Sequence, residues 1–240
     1  MILGLIPARQ GSTGVVGKNM VDLGGRPLLD YTLAMAHQCQ ALDKIILSTN
    51  MPDAIAWTKA HYSRIDVPFV RPEPLARAQS SLVDVVLHAV AHLNIEIDAI
   101  VLLQPTSPFR RMGEVENAIQ LFQQKKIQSL IGVSRVWHHP SDYIALNSKA
   151  SDRFYYVLRD PSWKRRQDFP EVFFMTGALY ICRLEFLQKT RSFYDENSYL
   201  FQMSDETMID IDSSFDLMIA KGLLAAGGFV PDFEFLSHAN

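Results

Sequence analysis

The chain has 240 residues, 48% of them hydrophobic, enough for one large α/β domain with a substantial core. Its 23 basic and 26 acidic residues leave a net charge of -3, and the only basic cluster is the short run Lys164, Arg165, Arg166, which argues against a nucleic-acid partner. Met1 leads straight into a strand-like run with no basic leader, and no apolar stretch reaches about 18 residues, so a soluble, cytoplasmic protein without a membrane partner is expected.

In chain order, residues 2–6 predict a first strand, 28–39 a helix, 44–48 a strand, 53–61 a helix and 67–70 a short apolar piece. Residues 81–93 set Leu82, Val85, Val86, Ala89, Val90 and Leu93 near helical spacing. Residues 99–103 are apolar throughout, as in a strand covered on both faces that ends at Gln104. A helix follows near 113–125. Up to about Ile131 this alternation predicts a parallel sheet with covering helices. Beyond it, the aromatics Trp137, Tyr143, Phe154, Tyr155, Tyr156 and Trp163 are broken by charged and turn residues, which suits a packing or dimer surface better than a base-stacking platform. His138 and His139 are adjacent, so on a strand they face opposite ways and make no joint metal site. Residues 173–182 predict another strand and 207–211 a late one leading into a helix at 215–225, which Gly227, Gly228 and Pro231 end. Cys39 and Cys182 lack metal or redox spacing and read as buried thiols.

Chemistry concentrates in three places. After the first strand come Ala8, Arg9, Gln10, Gly11, Ser12, Thr13, Gly14, Val15, Val16, Gly17, Lys18 and Asn19. The glycines admit positive φ and close backbone approach to an anion, while Arg9 and Lys18 put fixed positive charge at both ends. The spacing fits neither the dinucleotide nor the Walker pattern, and taken alone the stretch also reads as a glycine-rich surface turn. The stretch Gln104, Pro105, Thr106, Ser107, Pro108, Phe109, Arg110 follows a buried strand, where open α/β sheets bind ligands. Gln104 offers an acceptor and two donors there, although a capped turn into the next helix is an equal reading. In Ile209, Asp210, Ile211, Asp212, period-two alternation sends both carboxylates to one side, a set suited to Mg²⁺ completed by water and phosphate. Capping the helix that starts near Ser214 is a lesser reading of Asp212 and compatible with the first.

These stretches together resemble the acylneuraminate cytidylyltransferase family, the CMP-sialic acid synthetases, in family order from residue 2 to 225. Ala8, Arg9, Gly11, Ser12, Gly14, Lys18 and Asn19 match its N-terminal signature, so its phosphate-contacting Arg and Lys fall on Arg9 and Lys18; Thr13 stands where a second lysine is usual. The Gln104–Arg110 stretch matches almost letter for letter. By likeness Arg71 and Ser81 contact the cytidine, though Arg77, Ala78 and Gln79 replace the usual Asp-Thr pair. Asp210 and Asp212 match the metal-binding segment, with Asp216 behind them or on the helix face. Arg166, Gln167 and Tyr180 match the sugar-acid region; a guanidinium at Arg166 suits a carboxylate, but alone it reads as a solvated basic run. Phe174 and Thr176 replace more polar family residues and lean toward the diamino acids.

The resemblance implies a single domain over 1–240 with the three-layer, Rossmann-like fold of the nucleotide-diphospho-sugar transferases: a mostly parallel sheet, helices on both faces and a small dimerisation insertion around 137–200. It implies a homodimer that transfers CMP from CTP to a nine-carbon 2-keto sugar acid (N-acylneuraminate, legionaminate or pseudaminate) with magnesium and Arg9, Lys18, Asp210 and Asp212 as the catalytic set. Two other readings stay open: a non-catalytic nucleotide-sugar-binding protein of the same fold, and a cytidylyltransferase for the eight-carbon 3-deoxy-octulosonate.

Overall fold

Apolar runs covered on both sides set the central sheet. Strand β1 (Ile2–Ala8) opens it, in a computed structural model that describes residues 1–11, 14–147, 150–158, 160 and 165–236, with backbone alone for 147, 150–153 and 166. A small hairpin, β2 (Asp22–Leu23) and β3 (Arg26–Pro27), leads into α1 (Leu28–Gln38), β4 (Lys44–Thr49), α2 (Pro52–His61) and β5 (Ile65–Asp66). The single turn α3 (Glu73–Ala76) precedes α4 (Leu82–His92), β6 (Ala99–Leu102), α5 (Met112–Gln124) and β7 (Ser129–Arg135). Then come the hairpin β8 (Ile144–Asn147) and β9 (Ala150–Tyr156), the long β10 (Phe173–Arg183), α6 (Leu184–Thr190), β11 (Tyr199–Gln202) and α7 (Ser214–Ala225).

The main sheet has the order β11-β7-β10-β6-β1-β4-β5. All its strands run parallel except β10, which is antiparallel to both β6 and β7. The strands divide their side chains between two cores. In β1, Ile2, Ile6 and Ala8 pack with α1 and α5, whereas Leu3 and Leu5 pack with α4 and α6. In β6, Ala99 and Val101 join the first set, Ile100 and Leu102 the second. Both faces are therefore apolar, the pattern a buried parallel strand requires. A third cluster gathers Leu23, Tyr31, Phe109, Ile209, Ile211 and Phe229 beyond the carboxyl ends of the strands, and it fixes the ground under the site.

The chain departs from expectation in specific places. Residues 207–211 form no strand: Asp205–Met208 is a 3-10 turn and the chain then runs extended without a partner strand, held by Ile211 N–H donating to the Thr106 carbonyl at 2.8 Å. The late strand is instead β11, on the sheet edge. The 67–70 piece contributes one bridge, Val70 with Thr49, while the edge strand β5 lies just before it. β8 and β9 form their own two-stranded sheet, whereas β10 and β11 belong to the main one. Trp163 lies outside the described residues. Burial pushes the Cys39 thiol up to about 11 and the Cys182 thiol up to about 12, as expected of unreactive core cysteines. Among the described residues, no helix is long and apolar enough to cross a membrane.

Candidate active site

β1 delivers its loop to the carboxyl edge of the sheet. Gly11 (φ 84°) and Gly17 (φ 64°) take left-handed backbone at the two ends of the turn. Gly14 serves close approach instead: a Cβ there would sit 2.0 Å from the Asp212 carbonyl oxygen. The loop is tied by Asn19 Nδ2 donating to Arg9 O (3.0 Å), Arg9 Nη1 to Gly11 O (2.7 Å) and Gln10 N–H to Asn50 Oδ1 (2.8 Å). Lys18 is buried, and its Nζ reaches Asp212 Oδ1 at 2.7 Å. The first loop and the late aspartate segment thus form one structure across 194 residues of sequence.

Behind Gln104 lies Arg110, a fully buried guanidinium to which sequence reading gave no role of its own. It donates to the Ala178 and Gln104 carbonyls and to Thr32 Oγ1 (2.9 Å), locking the end of β6 to the middle of β10. Burial pulls its pKa down to about 9, and the nearby Asp210 charge works against that fall. An Arg110→Met variant is expected to lose about 3 kcal/mol, because two interior carbonyls are left without donors. Urea unfolding measures this, and a loss below about 1 kcal/mol would mean those carbonyls find other partners. Gln104, set by this anchor, donates from Nε2 to the Gly177 carbonyl at 3.1 Å.

Asp210 and Asp212 do lie on one side of their segment, because Ile209 and Ile211 are both buried in the third cluster. Burial pushes the Asp210 carboxyl above its ordinary value and the Asp212 charge adds to this; the Thr106 hydroxyl, Lys18 and Arg110 oppose it. Asp210 Oδ1 is buried with no hydrogen-bond partner. Asp212 is exposed, and Asp216 holds it from behind by accepting the backbone N–H groups of Asp212 (3.1 Å) and Ser213 (2.7 Å). The cap of α7 is Ser213, in a capping box with Asp216, and not Asp212. Among the described residues no three His, Cys, Asp or Glu side chains converge as a metal cluster. The pair, with its unsatisfied buried oxygen, fits a hard cation that takes one or two carboxylates and completes itself with phosphate.

Between these walls lies a cleft of about 410 Å³ lined by Arg9, Lys18, Arg71, Gln104, Asp210 and Asp212. Asn19 lines it too. Arg71 is buried, donates from Nε to Ser48 Oγ (3.1 Å) and also to the Ser48 carbonyl, and burial with help from Arg9 lowers its pKa to about 10. Leu75, Leu82 and Val85 supply an apolar side. Arg77, which stands in the departing segment, lines the same cleft, as does Ser80. An adjoining pocket of about 290 Å³ shares Gln104 and Leu82 and carries Ser81, Tyr180, Arg191 and Tyr194. Ser81 caps α4 by accepting the Val83 N–H at 3.2 Å. The Tyr180 ring lies nearly parallel to that of Tyr194, centroids 5.9 Å apart.

Other candidates fall elsewhere. Ala8 is buried beneath the loop, Gly11 lines neither pocket, and Gln167 is exposed away from both. Ser12 and Thr13 lie outside the described residues, as does the Arg166 side chain. Thr176 is buried and pairs with the Gly132 carbonyl (3.3 Å) and the Ala178 N–H (3.2 Å), and Phe174 is exposed; neither lines either of these two pockets.

A sequence profile described as cytidylyltransferase matches residues 3–219. The chain is a member of the cytidylyltransferase family. It is 31% identical to the N-acylneuraminate cytidylyltransferase of Escherichia coli, an alignment covering 91% of this chain but 51% of that protein, so it spans about half the length of that relative. It is 29% identical to the CMP-N,N′-diacetyllegionaminic acid synthase of Legionella pneumophila, covering 93% of this chain and 96% of that one. The fold matches a CMP:2-keto-3-deoxy-manno-octonic acid synthetase structure with a TM-score of 0.69 at 18% identity, over 94% of this chain and 99% of that chain. This family member accordingly carries the nucleotide-diphospho-sugar transferase-like sheet expected of it.

Proposed function

We propose that this cytidylyltransferase-family chain transfers CMP from CTP to the anomeric 2-hydroxyl of a nine-carbon 2-keto sugar acid of the N-acylneuraminate, legionaminate or pseudaminate type. The hydroxyl oxygen forms a bond to the α-phosphorus, the bond from that phosphorus to the bridging oxygen breaks, pyrophosphate leaves and the hydroxyl loses its proton. The observation that carries this reading is the joining of the first loop to the aspartate pair through Lys18 and Asp212, with an unpartnered Asp210 oxygen beside them. Arg9 and Lys18 offset triphosphate charge, and Arg71 with the apolar Leu75 and Val85 side receives the nucleoside. Asp210 and Asp212 would hold magnesium, which when bound neutralises phosphate charge. Gln104, shared by both pockets, positions the acceptor at their junction.

Pyrophosphate release with CTP, Mg²⁺ and a panel of sugar acids tests the reading. Lys18→Ala is expected to lower kcat/KM for CTP about a hundredfold with the fold retained. A native chain that releases no pyrophosphate with any acid would overturn it. The exposed apolar residues of the hairpin, Ile144, Leu146, Phe154 and Tyr155, support a homodimer through that face. CTP is a cytoplasmic metabolite, and the same proposal places the chain in the cytoplasm.

A further inference from the structure

The segment that bears Asp210 and Asp212 is extended, yet among the described residues it pairs with no strand. Ile209 and Ile211 bury its apolar side in the third cluster, which sets the depth of the segment but not the orientation of its carboxylates. The orientation is met from Thr106, which lines the same cleft as the two aspartates. Its carbonyl accepts the Ile211 N–H at 2.8 Å, and its hydroxyl donates to the Asp210 carboxylate. One residue therefore holds the segment at two adjacent positions, once through backbone and once through side chain.

The turn that carries Thr106 is itself fixed. Pro105 and Pro108 restrict φ on either side of Thr106 and Ser107. The Gln104 carbonyl accepts the Ser107 N–H at 3.3 Å and the buried Arg110 guanidinium, and Ser107 Oγ donates to the Thr176 carbonyl at 3.4 Å. The two oxygens of Asp210 differ in their surroundings. Oδ1 is buried with no hydrogen-bond partner, which leaves Oδ2 as the oxygen that takes the Thr106 hydroxyl. Oδ2 also faces β10, where a Cβ on Gly177 would come within 3.9 Å of it. The last torsion of an aspartate is broad and nearly two-fold, so without such a hold the oxygens exchange places.

We infer that Thr106 is a positioning residue: its hydroxyl holds Asp210 Oδ2 and so keeps Oδ1 free for the magnesium that the aspartate pair would bind. It acts through Asp210 and not by contact with the reacting atoms. Partners that orient a metal-binding carboxylate contribute to metal affinity in this way. The inference rests on the transferase reading above and gives a part to a residue that reading leaves without one.

The test measures CTP binding by calorimetry in EDTA and again in Mn²⁺, which shares the octahedral oxygen preference of Mg²⁺, with no acceptor present. The ratio of the two Kd values reports the cation's share without any turnover. Thr106→Val removes the hydroxyl and keeps both the branched shape and the backbone carbonyl. It is expected to raise the CTP Kd in Mn²⁺ about tenfold and to leave the Kd in EDTA within about twofold. Thr106→Ser keeps the donor and holds the native ratio to within about threefold. Thr106→Ala also lacks the hydroxyl and follows Thr106→Val, which guards against a turn disturbed by the added methyl group. In pyrophosphate release, Thr106→Val raises the Mg²⁺ concentration for half-maximal rate about tenfold, while kcat at saturating Mg²⁺ falls less than about threefold. A native ratio in both the Val and Ala variants, equal weakening in EDTA and Mn²⁺, or a Ser variant as weak as Val overturns this proposal and leaves the transferase reading standing. A native chain whose ratio falls in Thr106→Val as expected, but which releases no pyrophosphate with any acid, overturns the transferase reading and leaves Thr106 its role at the cation.

Discussion

An Asp210→Asn variant is expected to lose about a thousandfold in kcat with CTP and yet to melt roughly 2–4 °C above the native chain at neutral pH. The carboxyl of Asp210 is held above its ordinary pKa chiefly by burial, with the Asp212 charge adding, so Thr106, Lys18 and Arg110 together do not compensate its desolvation. The folded chain then binds this proton more tightly than the unfolded one. The group's contribution favours folding at low pH and is lost as pH rises through its raised folded value. Asparagine keeps the shape without the charge, a gain of about 1 kcal/mol, and removes the anionic oxygen that the chemistry requires. Asp212→Asn separates the two effects. Its side chain is 77% exposed, so activity falls without the gain in stability. Thermal unfolding from pH 5 to 8 beside steady-state kinetics measures both. An Asp210→Asn chain that melts lower than the native one, or turns over CTP at a near-native rate, would show that the buried oxygen is not an unmet demand of the fold.

Much of this arrangement is legible in the amino-acid order. The 3.6-residue spacing of 81–93 and the uninterrupted apolar run at 99–103 name a helix and a buried strand that the fold contains almost to the residue, because burial on one or both faces is what those patterns record. The Asp210 and Asp212 alternation is legible for a different reason than expected. It requires only an extended backbone over an apolar cluster, and residues 209–212 meet that without a strand partner. β11 escaped notice because four residues at a sheet edge, alternately half-buried and exposed, carry little contrast. The β8–β9 hairpin exposes Ile144, Leu146, Phe154 and Tyr155 to solvent, so polarity does not mark its faces.

Arg110 is the instructive omission. It closes the Gln104–Arg110 stretch, beside Arg111 and just before a helix, and no local pattern marks it as buried. Only the crossing of β10 brings the Ala178 carbonyl to it and turns it into an interior anchor for Gln104. Long-range pairing of this kind leaves no local signature. The same holds for Arg191 and Asp84, which lie 107 residues apart and meet in an exposed ion pair.

The glycine spacing of the first loop is where sequence and structure assign different causes to one residue, and a Gly14→Ala chain distinguishes them. If Gly14 only let phosphate approach, a methyl group would mainly weaken CTP binding. In the fold its Cβ would stand 2.0 Å from the Asp212 carbonyl oxygen and 3.1 Å from the carbonyl carbon, both backbone atoms that no rotamer change can move. The first loop and the aspartate segment must separate by about 1 Å or more, and a misplacement of that size costs about a hundredfold in rate. Gly14→Ala is therefore expected to lower kcat about a hundredfold with a smaller effect on the CTP KM, and to leave the melting temperature within a few degrees because the loop lies outside both cores. Gly17→Ala is the control. It meets no atom within 4 Å, so it carries only the backbone strain of its positive φ, about 1 kcal/mol, and retains most of the rate. Steady-state kinetics of the two variants decides the matter: a Gly14→Ala enzyme within about threefold of native kcat would mean that loop and aspartates work as separate parts, not as the two jaws of one clamp.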